Sequence, residues 1–308
     1  MNNAAKSEPA KQIILEALMR STGRNTGWVL VMFLFGWGAV ARAPMAKDDK
    51  ITPEAVVSQH LQSIGNPDLF AKVQSRVFAG TTTVRFIQGA SGEYGGQCQF
   101  ASDGRMLGIV LKYRAQDYRG EHIGFDGKDV TIKRFMAGGM SPLADFINRF
   151  DGIMKEGLLG GALSVAWPLK NLQQAQPRLK YDRAKLAGRP MHSLEYRPRK
   201  GLGDLKIVLF FEPETFHHVR TEYRLHVSAT RGSGPATEIR VERPDSHYIL
   251  SEEFSDFKEV DGMTLPHRYT LGFSSEGQTA TFLAYWTLVA EQWVHNGQIN
   301  PLIFQARE

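Results

Sequence analysis

The chain has 308 residues, of which 42% are hydrophobic, 22% charged and 10% aromatic. These are globular proportions, so a sizeable core is available and wholesale disorder is excluded. The formal net charge is +5. Four basic residues (Lys6, Lys11, Arg20, Arg24) against two acidic ones (Glu8, Glu16) put +2 of it in the first 41 residues. What remains is too thin an excess to argue for nucleic-acid binding. The single cysteine, Cys98, rules out an intrachain disulfide and any zinc site built on several thiolates. A buried small side chain in a strand outweighs a nucleophile as the reading of Cys98.

Residues 27–41, GWVLVMFLFGWGAVA, form an uncharged apolar run behind the basic stretch RSTGRNTG. The run is short of the ~20 residues that span a bilayer, and it ends in Ala39-Val40-Ala41, which fits an A-x-A cleavage pattern. Residues 1–41 are therefore expected to be a secretory signal peptide, with a retained amino-terminal anchor at 27–41 as the rival. Residues 42–52 read as a polar linker and 53–308 as one domain, placed in the periplasm, with membrane contact only through the leader or peripherally.

Thr52-Pro53-Glu54 supplies a cap, a first-turn proline and an acidic residue at the positive helix end. Val57, Leu61 and Ile64 then fall at helical spacing, and Gly65 and Pro67 stop the run. From residue 75 the period becomes two. Asp103-Gly104 and Asp126-Gly127 mark hairpins in an antiparallel meander. Ser141 and Pro142 open a second helical stretch in which Leu143, Phe146, Ile147, Phe150, Ile153 and Met154 form one apolar face. The apolar, glycine-rich GLLGGALSVAW follows, either packed or a mobile flap.

Residues 178–203 are basic with interleaved apolar residues and read as a strand with a solvated face and a hairpin tip. LKIVLFFE is a buried strand. In HVRTEYRLHV, Val219, Thr221, Tyr223, Leu225 and Val227 alternate with Arg220, Glu222, Arg224 and His226, as in a strand with one wet face. Asp261-Gly262 marks another hairpin, and TATFLAYWTLVAEQWV is a last long strand or strand pair. Nine to eleven strands with short connections would curl into a barrel or half-barrel.

Catalytic motifs such as G-x-S-x-G, a P-loop or H-E-x-x-H do not occur in the sequence. His217 and His218 are adjacent in a strand and so point to opposite faces, which does not suit chelation. Glu252, Glu253 and Asp256 read as the wet face of an alternating strand.

The stretch KYDRAKLAGRPMHSLEYRPRKGLGDLKIVLFFEPETFHHVRTEY, through Gly188-Arg189-Pro190, Leu194-Glu195-Tyr196 and Phe211-Glu212-Pro213-Glu214-Thr215, resembles a segment of the outer-membrane lipoprotein-sorting (LolA-like) superfamily. FSDFKEVDGMTLPHRYTL, with Val260-Asp261-Gly262 and Leu265-Pro266, is similar to a later one, and EAVVSQHLQSIG to the family's leading helix. The resemblance spans roughly residues 53–290. It implies a mainly β fold, a strongly curved antiparallel half-barrel with a helical lid, and a cavity for lipid or the acyl chains of lipoproteins.

The expectation is thus a non-catalytic carrier or binder of acyl chains in the cell envelope. Leu143, Phe146, Ile147, Phe150, Met154, Leu158 and Leu159 are the expected lid and cavity residues. No catalytic residue, metal or cofactor is expected, nor a nucleic-acid partner; an envelope protein partner is. The alternative is a scaffold or interaction module of the same fold with a filled core. A hydrolase, with His, Asp or Glu converging on a Ser or Cys98, is the third reading.

Overall fold

The computed structural model describes residues 51–136, 139–228, 245–277 and 281–306. The leader expected at 1–41 and all but the last two residues of the linker lie outside the described residues.

The chain starts as expected. Helix α1 (Pro53–Ile64) is capped by the Thr52 side chain, which accepts from Ala55 N at 3.2 Å, and it ends at Gly65. A short α2 (Pro67–Lys72) follows, capped by Asn66. The first meander runs through β1 (Ser75–Gln88), β2 (Gly92–Asp103), β3 (Met106–Tyr113), β4 (Gly120–Phe125) and β5 (Val130–Arg134). A lid segment comes next, with α3 (Pro142–Arg149), α4 (Gly152–Lys155), 3-10 turns at Gly161–Leu163 and Pro168–Asn171, and α5 (Leu172–Ala175). The second meander is β6 (Arg178–Leu186), β7 (Arg189–Arg197), β8 (Lys206–Phe211), β9 (His218–Val227), β10 (Ser246–Val260), β11 (Met263–Glu276) and β12 (Thr281–His295).

All twelve strands join one antiparallel sheet in the order β5-β4-β3-β2-β1-β12-β11-β10-β9-β8-β7-β6. The first strand therefore pairs with the last, and the two meanders run outward from that seam to open edges at β5 and β6. The count exceeds the nine to eleven expected. The basic stretch after residue 178 is a full hairpin, turning at Ala187 and Gly188, both at positive φ. The last apolar run is one strand, β12, not two.

The sheet is strongly curved. β2 and β11 are three positions apart, which at ~4.8 Å per strand would separate them by about 14 Å in a flat sheet. Their side chains nonetheless meet: the rings of Phe100 and Tyr269 are 6.2 Å apart, edge to face. The concave face carries the core, in which Phe78, Phe100, Ile109, Leu194, Leu209, Phe254, Leu271 and Trp286 are all buried with the lid residues. The convex face is partly covered by the C-terminal stretch. Gly108 and Gly124 leave room for the carbonyls of Ile303 and Phe304, where a Cβ would lie 2.2 and 2.7 Å from those oxygens. His122 Nε2 and the Ile303 carbonyl, 2.7 Å apart, fix the crossing. Among the described residues, no helix is long and apolar enough to cross a membrane.

Candidate functional site: a lid on the concave face

The lid begins where the sequence says it should. Ser141 Oγ accepts from Ala144 N at 3.1 Å and Pro142 takes the first helical position. The expected single apolar face is delivered by two short helices, because the chain turns at Phe150 and Asp151 before α4. Leu143, Phe146, Ile147, Met154, Leu158 and Leu159 are buried and belong to one core with the sheet, and Phe150 is half-buried against it. Phe146 lies 4.8 Å from Phe150 and 5.5 Å from Phe273 of β11, ring to ring. The structure thus brings all seven expected residues together, and their side chains fill the concave face.

Polar groups fasten the lid at its glycine-rich turn. Gly160 and Gly161 both have positive φ. A Cβ on Gly161 would sit 2.8 Å from Phe254 and 3.0 Å from His218 Nδ1, so the turn lies directly on the sheet. Glu252 of β10 is fully buried, and its carboxylate accepts from Gly160 N, Tyr223 Oη and Tyr269 Oη, each at 2.6 Å. Burial raises this carboxyl to about 7, against the pull of its three donors. This corrects the expectation that Glu252 lies on a wet face. Glu252 shares the inward phase of Leu250 and Phe254, whereas Glu253 points outward and pairs with Arg220.

At the other end of the turn is Arg76 of β1, also fully buried. Its Nη1 donates to the carbonyls of Ala162 at 2.6 Å and Leu163 at 3.2 Å, and its Nε to His295 Nε2 at 3.1 Å. Burial without a contacting carboxylate lowers its pKa to about 10. Farther along, Val165 N donates to Ser102 Oγ of β2 at 3.0 Å. Lys170 Nζ donates to the Val165 carbonyl at 3.1 Å and lies over the Phe70 ring.

A histidine pair underlies the rest of the lid. His60 of α1 sits between the Phe216 carbonyl, 3.1 Å from Nδ1, and Trp167 Nε1, which donates to Nε2 at 3.4 Å. Burial lowers His60 to about 4. Trp167 stacks on His218, whose Nε2 lies 2.9 Å from Thr221 Oγ1. Burial lowers His218 as well, followed by the neighbouring His60. His217 and His218 do point to opposite sides: His218 is in the core and His217 stacks on Phe257. Cys98 is buried, and burial pushes its thiol up to about 12.

At the leading end of the lid, a cleft of about 440 Å³ opens between the β1–β2 hairpin and the start of α3. Phe86, Tyr94, Tyr118, Met136 and Met140 supply its apolar walls, with Glu121 and Arg134 among its polar ones. None of the seven expected residues lines it. Sequence reasoning missed Arg76, Glu252 and this cleft. The signal for the first two was alternation itself: Arg76 is in phase with Phe78, Val84 and Phe86, as Glu252 is with Leu250 and Phe254.

No family model matches this chain, and no curated protein matches it. Among solved structures, it is similar to a chain in the Pseudomonas aeruginosa MucA/MucB complex at 11% identity and a TM-score of 0.20, over 75% of this chain and 92% of that chain, a likeness too slight to bear on function.

Proposed function

We propose that the protein is a non-catalytic carrier or binder of acyl chains, of lipid or of lipoproteins, in the bacterial cell envelope. The observation that carries this reading is how the lid is held. A largely apolar concave face is closed by a segment that packs leucine, isoleucine, phenylalanine and methionine against it. Yet that segment is pinned by discrete polar contacts, Glu252 to Gly160 and Arg76 to Ala162 and Leu163. Swinging the lid aside would exchange its own side chains for acyl chains at about 0.8 kcal/mol per buried CH₂. Binding of this kind requires no reacting group. The resemblance to the lipoprotein-sorting superfamily supports the same reading, and the export signal read from residues 27–41 supports the location.

A second reading, a scaffold module with a permanently filled core, is favoured by one observation: Leu143, Ile147, Leu158 and Leu159 are wholly inaccessible to solvent. Native mass spectrometry of the full chain, purified without detergent, separates the two. The carrier reading expects adducts of phospholipid or fatty-acid mass that disappear on solvent extraction and decline in Phe150→Asp, where the residue is half-buried. A clean apo mass, together with no uptake of a fluorescent fatty acid, would leave the scaffold reading in its place.

A further inference from the structure

The cleft at the leading end of the lid has features that the core does not explain. Met136 and Met140 are 38% and 42% exposed, among the most exposed large apolar side chains described. They face Phe86, Tyr94 and Tyr118, whose rings meet edge to face around Phe86 at 6.3 Å and 5.5 Å. Unbranched methionines adapt to irregular and flexible partners. The volume of about 440 Å³ falls within the ~300–1,000 Å³ typical of small-molecule sites.

The polar wall is unbalanced in a specific way. Glu121 of β4 and Arg134 of β5 are direct register partners. The Glu121 carboxylate is fully engaged: it accepts from Ser141 N at 2.7 Å, Ser141 Oγ at 2.6 Å and Tyr118 Oη at 3.3 Å. Arg134 Nη1 is buried and has no hydrogen-bond partner among the described residues. A buried donor left unpaired costs roughly 1–3 kcal/mol, so the site lacks an acceptor. It already holds acidic groups of its own, Asp117 and Glu121, the second with its carboxyl raised by burial, so a further carboxylate would meet like groups.

We propose that this cleft binds a single acyl chain by its neutral ester or amide end, the Arg134 guanidinium turning its unpaired Nη1 to donate to the carbonyl oxygen and the chain lying along Met136, Met140 and Phe86. This rests on the acyl-binding reading above and names the chemistry of its outer end. A free fatty acid would bring a further carboxylate into the cleft and bind less tightly. The floor of the cleft includes Ser141 and Pro142, so a chain held there lies against the first turn of the lid.

The test uses one chain length with three heads. 1-Monolauroylglycerol, laurate and dodecyltrimethylammonium are titrated into the full chain by calorimetry, each below its micelle concentration. The glycerol ester is expected to bind at least tenfold more tightly than either ion. Arg134→Met, which removes the donor, should weaken the ester by tenfold or more, and Met140→Asp, at an exposed position that leaves the fold intact by circular dichroism, should weaken all three by tenfold or more. Ester binding that is unchanged in both variants overturns the cleft assignment and leaves the acyl-binding reading standing. Laurate binding more tightly than the ester overturns the head-group assignment. No binding of any of the three to the wild type overturns both readings.

Discussion

Glu252 and Arg76 hold opposite ends of one turn: the carboxylate receives Gly160 N–H at 2.6 Å, and the guanidinium donates to the Ala162 carbonyl, also at 2.6 Å. The signs match the turn, whose free N–H groups lie at its start and free carbonyls at its end. The two residues come from β10 and β1, two strands that are not neighbours in the sheet. The lid is thereby referred to the curved sheet as a whole.

Arg76→Met keeps the side-chain bulk and removes four hydrogen bonds, to the Ala162 and Leu163 carbonyls, to His295 and to the Met263 sulfur. It is expected to lower the local stability of the lid turn by about 2–4 kcal/mol, since the lost hydrogen bonds to a charged group, ~1.5–3 kcal/mol each, are partly offset by relief of the buried guanidinium's desolvation. Hydrogen–deuterium exchange should accelerate across residues 158–165 while β8 and β11 stay protected. Uniform acceleration over the whole sheet would mean that Arg76 supports the fold and not the lid.

Glu252 makes stability depend on pH in an unusual direction. Its folded carboxyl titrates near 7, above the ordinary carboxylate range. The folded state therefore holds a proton that the unfolded chain has released, and stability falls as pH rises from about 4.5 to about 7. At ~1.4 kcal/mol per unit the loss is about 3 kcal/mol. Urea unfolding of the wild type and Glu252→Gln across this range should show their difference changing with pH in the wild type's disfavour. A constant difference would show that the carboxyl does not titrate there.

His60 works the other way. Burial holds its imidazole near 4 in the folded state, so its contribution is complete above about 6.5 and is lost as pH falls through 4. Buried His218 has the same sign. His60→Gln should be less sensitive to acid than the wild type, with its acid-unfolding midpoint moved to lower pH. Between pH 4.5 and 6.5 the slopes of Glu252 and His60 oppose each other, so each single variant should show a slope that the wild type partly conceals.

Gly161→Ala tests how tightly the turn is seated. The new Cβ would meet Phe254 and His218 at 2.8–3.0 Å, on a backbone at φ +50°. Overpacking and strain together should cost about 1–3 kcal/mol. Gly188→Ala, at a hairpin tip with open space around it and positive φ, should cost less than Gly161→Ala in the same thermal melt.

The curved antiparallel sheet with helices on one face was legible because its signals are local. Alternation gave the strands, Asp-Gly pairs gave β2–β3, β4–β5 and β10–β11, and Ser141-Pro142 gave the start of the lid. The apolar face of the lid was also legible, since Leu143, Phe146 and Ile147 repeat at helical spacing. What escaped was pairing over distance. Nothing near Arg76 announces that β1 will close on β12 some two hundred residues later and turn its guanidinium under Ala162. The same holds for Glu252, which joins the core only because Tyr223 and Tyr269 arrive from the flanking strands. Read by charge alone it belongs outside; read by phase with Leu250 and Phe254 it belongs inside, and phase prevailed because donors were present to satisfy it. Arg134 was hidden for a related reason: its carboxylate neighbour is already engaged by Ser141 and Tyr118.

The open border of the sheet at β6 bears on how the molecule meets other chains. Along that strand Arg178, Lys180, Asp182, Arg183 and Lys185 are exposed, while Leu179 and Tyr181 turn inward. A border studded with charge is a poor template for a further strand, because an incoming backbone would have to bury or displace those groups to complete its ladder. The basic stretch read from the sequence as a strand with a solvated face therefore acts as a fence against edge-to-edge pairing at this border.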